Sequence, residues 1–214
     1  MTILITGASR GIGAGLAQAY RDRGETVIGT GRSVAAQVQL DVTHPANHTE
    51  MAAALGDTAI DLLICNAGVY LDRGQDLDTG YGADLWAQTF AANVTGVFLT
   101  VQTLLPHLRR APAAKIAIIS SQMASHTRAP GGSYIYRASK AAVLNVGRNL
   151  STELKPEGIA VGIYHPGWVQ TDMGGENAEI TVDQSVAGLM ARFDALSMES
   201  TGCFETWDGQ AHAY

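Results

Sequence analysis

Apolar residues along this chain follow two rhythms. Short continuous runs rich in Ile, Leu and Val occupy residues 3–5, 27–32, 38–42, 60–65, 115–121, 159–164 and 202–207. Runs of that length without polar alternation predict strands buried on both faces. Between them the apolar positions recur every three or four residues, as in Ile12, Leu16 and Tyr20, or Val143, Val146, Leu150 and Leu154. That period predicts helices: one from Ile12 to a cap at Gly24, then residues 46–55, 83–109, 136–155 and 182–196. Trp86, Phe90, Val97, Val101, Leu104 and Leu108 form the stripe of the long helix, with Asn93 on the same stripe. Residues 33–38 are too few for a crossover helix and predict a loop or single turn. Residues 69–82 and 122–133 are polar and Gly-rich, so they read as loops able to line a pocket.

Strands alternating with helices predict an α/β fold with a buried parallel sheet. The chain has 214 residues, and nothing in it suggests a second domain, so residues 1–214 are expected to be a single domain. A formal charge of −6 without any Lys/Arg cluster argues against nucleic acid as a partner. No apolar run reaches the roughly 18 residues of a membrane span, which argues against a membrane partner. The N-terminus reads as a first strand, not a signal peptide. Cys65 and Cys203 fall in predicted strands and make no disulfide framework; together these features predict a cytoplasmic protein. His44 and His48 flank Pro45 without a third ligand, so they read as loop residues and no metal site is expected.

Several residues carry candidate chemistry. Thr6-Gly7-Ala8-Ser9-Arg10-Gly11-Ile12-Gly13 follows the first strand and opens the first helix. In that context the glycines let backbone approach a pyrophosphate, and the helix N-terminus offers free N–H groups. The second strand ends in Arg32 with no acid beside it, and Arg10 supplies a second cation. An acid there would hold a ribose 2′-hydroxyl, whereas Arg accommodates a 2′-phosphate, so NADP(H) is favoured and NAD(H) remains open. Tyr136 and Lys140 stand four apart, on one helix face. An ammonium about 5 Å from a phenol, at an effective dielectric of about 20, favours phenolate by roughly 3 kcal/mol or about 2 pK units. Asn93 either ties its helix to a neighbouring strand or serves a site. Gly7, Arg32, Asp41, Asn66, Ser121 and Gly167 each follow a strand's carboxyl end. Ligands of open parallel sheets bind along that edge.

Taken together, Thr6 to Gly13, Asp41, Asn66-Ala67-Gly68, Asn93, Ser121, Tyr136-x-x-x-Lys140 and Pro166-Gly167 with Thr171 resemble the short-chain dehydrogenase/reductase family over nearly the whole chain. The resemblance implies a Rossmann-type, doubly wound, seven-stranded parallel sheet with helices on both faces and one NAD(P) site. It implies Tyr136 as general acid/base, with Lys140 holding the nicotinamide ribose and depressing the Tyr136 pKa. Ser121 would hold the substrate oxygen, and Asn93 a proton-relay water. Gly7, Ser9, Arg10, Gly11, Ile12 and Gly13 would cradle the cofactor; Arg32, Asp41 and Val42 would flank its adenosine end. Asn66, Ala67 and Gly68 would take the adenosine side, and Pro166, Gly167, Val169 and Thr171 the nicotinamide end. The implied substrate is a small carbonyl compound or alcohol, and the implied assembly a homodimer or homotetramer built on the two long helices. An NADP-binding regulatory protein without turnover, or a lyase or epimerase on the same cofactor, are the rival readings.

The chain also departs from the family pattern. Ser121 precedes Tyr136 by about two residues more than usual, an insertion expected in the Gly131-Gly132 loop, which leaves Ser120 as an understudy. Cys65 replaces a frequent Asn. The chain is compact, with the helix after the second strand and much of the loop after Asp172 missing, so an open pocket is expected. This compactness and the Ser-Gly-rich approach to Tyr136 resemble members similar to C-factor, a bacterial signalling protein. Trp168, Met173, Tyr134, His126 and residues 69–82 are the candidate pocket walls.

Overall fold

The computed structural model describes residues 1–33 and 36–214. The short connection expected after Arg32 runs through residues 34–35, which lie outside the described residues. The elements in chain order are β1 (Thr2–Ile5), α1 (Gly11–Asp22), β2 (Thr26–Gly31), β3 (Val38–Gln39), α2 (Pro45–Leu55), β4 (Leu62–Cys65) and α3 (Ala83–Phe90). There follow α4 (Gly96–Leu108), β5 (Lys115–Ile119), α5 (Tyr134–Leu154), β6 (Ala160–His165), α6 (Val182–Ala195) and β7 (Phe204–Thr206).

The seven strands form one sheet in the order β3-β2-β1-β4-β5-β6-β7, every neighbouring pair parallel. The chain winds outward from β1 in one direction and returns to start β4 on its other side, so the strand order reverses between β1 and β4. The register aligns the ends: Ile5 faces both Gly29 and Ile64, Cys65 faces Ile118, and Ile119 faces Tyr164. The residues that follow therefore emerge side by side along one edge.

Successive strand residues point to opposite faces, and two apolar layers result. Leu4, Leu63, Ile116, Ile118 and Ile163 pack with Met51 of α2, Val101 and Leu104 of α4, and Val143 and Leu150 of α5. Ile3, Ile5, Ile64, Ala117 and Tyr164 pack with Leu16 and Tyr20 of α1 and Leu189 and Phe193 of α6. No helix among the described residues is long and apolar enough to cross a membrane.

The long helix predicted over residues 83–109 is interrupted. Ala91–Thr95 is a turn of π-helix between α3 and α4, and such single turns collect at functional sites. Its buried residues are Ala92 and Asn93. The predicted stripe fails at its start: Trp86 is exposed and packs on Phe90, with centroids 5.9 Å apart. His48 is also no loop residue; it is buried on α2, and its Nε2 lies 3.2 Å from the Thr100 hydroxyl of α4.

Candidate active site

Helix α5 carries the centre of the site. Tyr136 and Lys140 are both buried, and the Lys140 Nζ lies 5.7 Å from the Tyr136 ring centroid while donating to the Ile119 carbonyl at 3.0 Å. That carbonyl ends β5, so the ammonium is held between its own helix and the sheet edge. Ser120 is tied up, its hydroxyl donating to the Lys140 carbonyl at 2.9 Å. Ser121 accepts the Met123 amide at 3.1 Å and hydrogen-bonds to Tyr136, leaving it, not Ser120, beside the phenol. The longer spacing from Ser121 to Tyr136 is taken up by a 3-10 turn at Gln122–Ala124 and by left-handed φ at Gly131, Gly132 and Ser133.

The expectation that Lys140 would make Tyr136 more acidic is overturned. Burial pushes the Tyr136 phenol up to about 12, outweighing the Ser121 hydrogen bond that pulls it down. Burial likewise pushes Lys140 down to about 8. For both groups the larger effect is the cost of taking the charged form out of water. The Tyr136 phenol is thus protonated at neutral pH, and Lys140 keeps its proton below about pH 8.

Residues 69–82 contribute three groups that no sequence pattern singles out. The Asp72 carboxylate is buried and accepts the Ile135 amide at 2.8 Å and the Tyr136 amide at 3.2 and 3.3 Å. It caps α5 from across the cleft, because Ser133 at the N-cap position makes no side-chain cap. Orphan amides of a first turn need such an acceptor, and a carboxylate suits the positive end of the helix. Tyr70 stacks on Tyr136 at 4.3 Å between centroids, with its hydroxyl bonded to Ser133. Arg73 lies over the Tyr70 ring at 5.0 Å and donates to the Met173 carbonyl, joining the loops after β4 and β6.

Asn93 spends its amide on structure. Its Oδ1 accepts the Val69 amide at 2.8 Å, and its Nδ2 donates to the Val69 carbonyl at 2.9 Å and to Ser139 at 3.0 Å. The π-turn therefore clamps the loop after β4 to the helix residue before Lys140. Gly68 lies against both Asn93 and Lys140.

Along the edge beyond lies the glycine turn. Arg10, at the N-cap of α1, makes no side-chain cap, so the first amides of that helix are open to an anionic ligand. A Cβ on Gly7 (φ +68°) would meet the Ala67 backbone at 3.0 Å, and one on Gly13 would meet the Gly7 carbonyl at 2.3 Å. Asn66 seals the turn from β4, its Nδ2 donating to the Thr6 and Gly7 carbonyls at 3.0 and 3.1 Å. Ser9 faces Gly31 of β2, and Thr171 faces Gly11. The residues present thus fit a dinucleotide laid across the switch between β1 and β4. At the far end Asp41 is partly buried, which would raise its pKa, but hydrogen bonds from the Thr43 hydroxyl and amide hold the carboxyl below its usual range. Val42 packs on Gly96 just past the π-turn. Arg10 is engaged by Asp172, whereas Arg32 is exposed and has no carboxylate partner among the described residues.

A pocket of about 410 Å³ opens between these parts, walled by Tyr136, Ser121, Tyr70, His165, Trp168 and Met173, with Ile12, Pro166, Gly167, Val169 and Thr171 also lining it. Tyr134 and His126 do not line it; Tyr134 packs edge-on against Tyr81. Trp168 and Met173 are 44 % and 39 % exposed, so the short loop after Asp172 leaves this side open to solvent. Cys65 is buried, and its thiol is pushed up to about 12, which makes it inert.

A family model described as short chain dehydrogenase matches residues 1–181. The C-signal of Myxococcus xanthus is 40 % identical over 154 residues, 70 % of this chain and 90 % of that protein. The 1-hydroxy-2-glutathionyl-2-methyl-3-butene dehydrogenase of Rhodococcus sp. is 34 % identical over 97 % of each chain. Among solved structures, an NADPH-bound carbonyl reductase from chicken fatty liver superposes with a TM-score of 0.92 at 31 % identity, covering 100 % of this chain and 98 % of that one.

Proposed function

The chain belongs to the short-chain dehydrogenase/reductase family, and from that premise we propose that it is an NADP(H)-dependent oxidoreductase interconverting a carbonyl compound and a secondary alcohol. The observation that carries this reading is the burial of Tyr136 and Lys140 on one helix face, beside Ser121, at the edge where the strand order reverses. The nicotinamide, when bound, supplies or accepts the hydride at the carbonyl carbon. Gly7, Gly11, Ile12 and Gly13 would hold its pyrophosphate, Asp41, Val42 and residues 66–68 its adenosine side, and Pro166, Gly167, Val169 and Thr171 its nicotinamide end.

In the reductive direction the Tyr136 hydroxyl gives its proton to the substrate oxygen, to which the Ser121 hydroxyl donates a hydrogen bond. Such positioned donors act where charge develops and need no reorganisation. Lys140, protonated below about pH 8, stabilises the phenolate left behind. Asn93 and Asp72 are positioning residues: they hold the loop after β4 and the first turn of α5 in place. Arg32, exposed at the end of β2 and without a carboxylate partner among the described residues, supports preference for a 2′-phosphate, as does the likeness to an NADPH-bound reductase. Trp86 and Phe98 stand exposed on α3 and α4, which supports homo-oligomerisation through those helices; light scattering tests it.

A second reading, an NADP-binding regulatory protein without turnover, is favoured by the relative named C-signal. It has no need of a buried Tyr–Lys pair. An NADPH-oxidation screen over ketones, aldehydes and quinones, with NADH in parallel, separates the two. Turnover with NADPH supports the enzyme; binding of NADPH without turnover of any carbonyl overturns it.

A further inference from the structure

Next to the reactive pocket lies a second groove of about 520 Å³, lined by Gln122, Met123, Arg128, Ala129, Pro130 and Arg137. Gln122 and Met123 wall both spaces, so the groove adjoins the reactive pocket just beyond Ser121. Its chemistry differs from that of the pocket. Two guanidiniums line it in a chain whose formal charge is −6, and among the described residues neither has a carboxylate partner. Some surface arginines are neutralised, Arg23 by Asp194, Arg109 by Glu157 and Arg110 by Asp57, whereas Arg32, Arg73 and Arg148, like the two here, have no carboxylate partner among the described residues; what sets Arg128 and Arg137 apart is that they share one groove.

Among the described residues the two side chains are anchored on neutral acceptors. The Arg137 Nη1 donates to the Arg128 carbonyl at 3.3 Å, and the Arg128 guanidinium donates to the Gln122 side chain. The buried Arg137 Nε has no partner among the described residues, and a buried polar atom left so is destabilising. Arg128 also reaches the reactive pocket electrostatically: its charge helps suppress protonation of His165, although burial is the larger cause. Two cations brought together over one concavity repel each other unless an anion lies between them, and a guanidinium fork matches the oxygens of carboxylate or phosphate.

We propose that Arg128 and Arg137 form an anion subsite, so that the substrate is a carbonyl or secondary-alcohol compound carrying a carboxylate or phosphate at a distance from the reacting carbon. This rests on the reading of the adjoining pocket as the place of carbonyl reduction, with Arg137, next to Tyr136 in sequence, setting the orientation of the substrate tail. Specificity then lies in chain length: the carbonyl must reach Tyr136 and Ser121 while the anion reaches the groove.

The test uses the NADPH-saturated protein and two sets of probes. The first is a series of methyl-ketone carboxylates, from 4-oxopentanoate to 10-oxoundecanoate, with their methyl esters. The expected result is a kcat/KM at the best length at least tenfold above that of the matching ester. Arg137→Gln and Arg128→Gln should each lose most of that preference through KM, so that acid and ester come to be turned over with similar kcat/KM. The second set is unreactive: decanoate, methyl decanoate and decyl phosphate, followed by thermal shift and calorimetry. Decanoate or decyl phosphate should bind the wild type more tightly than the ester, and the two variants should lose the difference. Whichever anion binds better identifies the source. Ketone turnover with equal kcat/KM for acid and ester, unaffected by either variant, overturns the subsite and spares the proposed activity. Arginine-dependent binding of the anions with no ketone turnover does the reverse: the subsite stands and the proposed activity fails.

Discussion

Asp72 offers the sharpest test of how the site is held. Its carboxylate accepts two buried amides, those of Ile135 and Tyr136, at 2.8 to 3.3 Å. Asp72→Ala leaves both without an acceptor. Each buried unsatisfied donor costs roughly 1–3 kcal/mol, and partial refilling by water lowers the sum to about 3 kcal/mol. For a chain of this size 1 kcal/mol moves the melting temperature by about 2–4 °C, so a fall of about 6–12 °C is expected. Asp72→Asn keeps an acceptor and loses only the charge at the helix N-terminus, worth about 1 kcal/mol, or about 2–4 °C. The two variants also separate in proton chemistry. The Asp72 carboxylate opposes ionisation of Tyr136, so Asp72→Asn should shift phenolate formation to lower pH, read by ultraviolet difference titration with Tyr136→Phe as blank. Melting temperatures within a degree of wild type for both variants, or a phenolate shift to higher pH, would refute the assignment of Asp72 as the cap of this helix.

Three further outcomes follow from the same geometry. Replacing Arg32 with Asp should weaken NADPH binding at least tenfold while changing NADH binding little, by fluorescence titration; equal losses contradict a 2′-phosphate role. His165 is pushed down to about 4, chiefly by burial and then by His212 and Arg128. Between pH 6.5 and 4 the unfolded chain therefore takes up a proton that the folded one refuses, and stability drops as pH falls, by at most about 3 kcal/mol. His165→Asn should flatten that limb of a urea-midpoint against pH plot; an unchanged limb rules the imidazole out as its source. Lys140, pushed down to about 8, acts with the same sign at higher pH: stability should rise between about pH 8 and 10 as the folded ammonium discharges first. Lys140→Met should be more stable than wild type at pH 7, lose that advantage by pH 10 and be inactive. A variant that is less stable at both values contradicts the burial argument.

Much of this was legible in the chain before any coordinates. Strand ends followed at once by Gly7, Asn66, Ser121 and Gly167 announce a shared edge, because a parallel sheet gathers all its carboxyl ends on one side. The α/β alternation, the seven strands and the family resemblance survive nearly unchanged. What failed depended on burial or on contacts distant in sequence. The acidity expected of Tyr136 came from a pair energy alone, without the desolvation that outweighs it. The π-turn around Asn93 leaves helical periodicity looking uninterrupted over 83–109, so only the coordinates locate it. Asp72 meets a helix that begins more than 60 residues later, and no local pattern marks it, rather than Asp76 or Asp78 of the same Gly-rich loop, as a cap. Arg10 looked free in sequence because its partner, Asp172, follows β6.

The central claim is that the Tyr136 hydroxyl delivers the proton while neighbouring groups only hold and polarise. Single-turnover reduction of a ketone found in the NADPH screen, by wild type and by Tyr136→Phe at matched NADPH occupancy, tests it most directly. The account predicts unchanged NADPH affinity and a rate reduced by about 10²–10⁴, the usual contribution of a positioned general acid. A Tyr136→Phe protein that binds NADPH and reduces the ketone at the wild-type rate would contradict it.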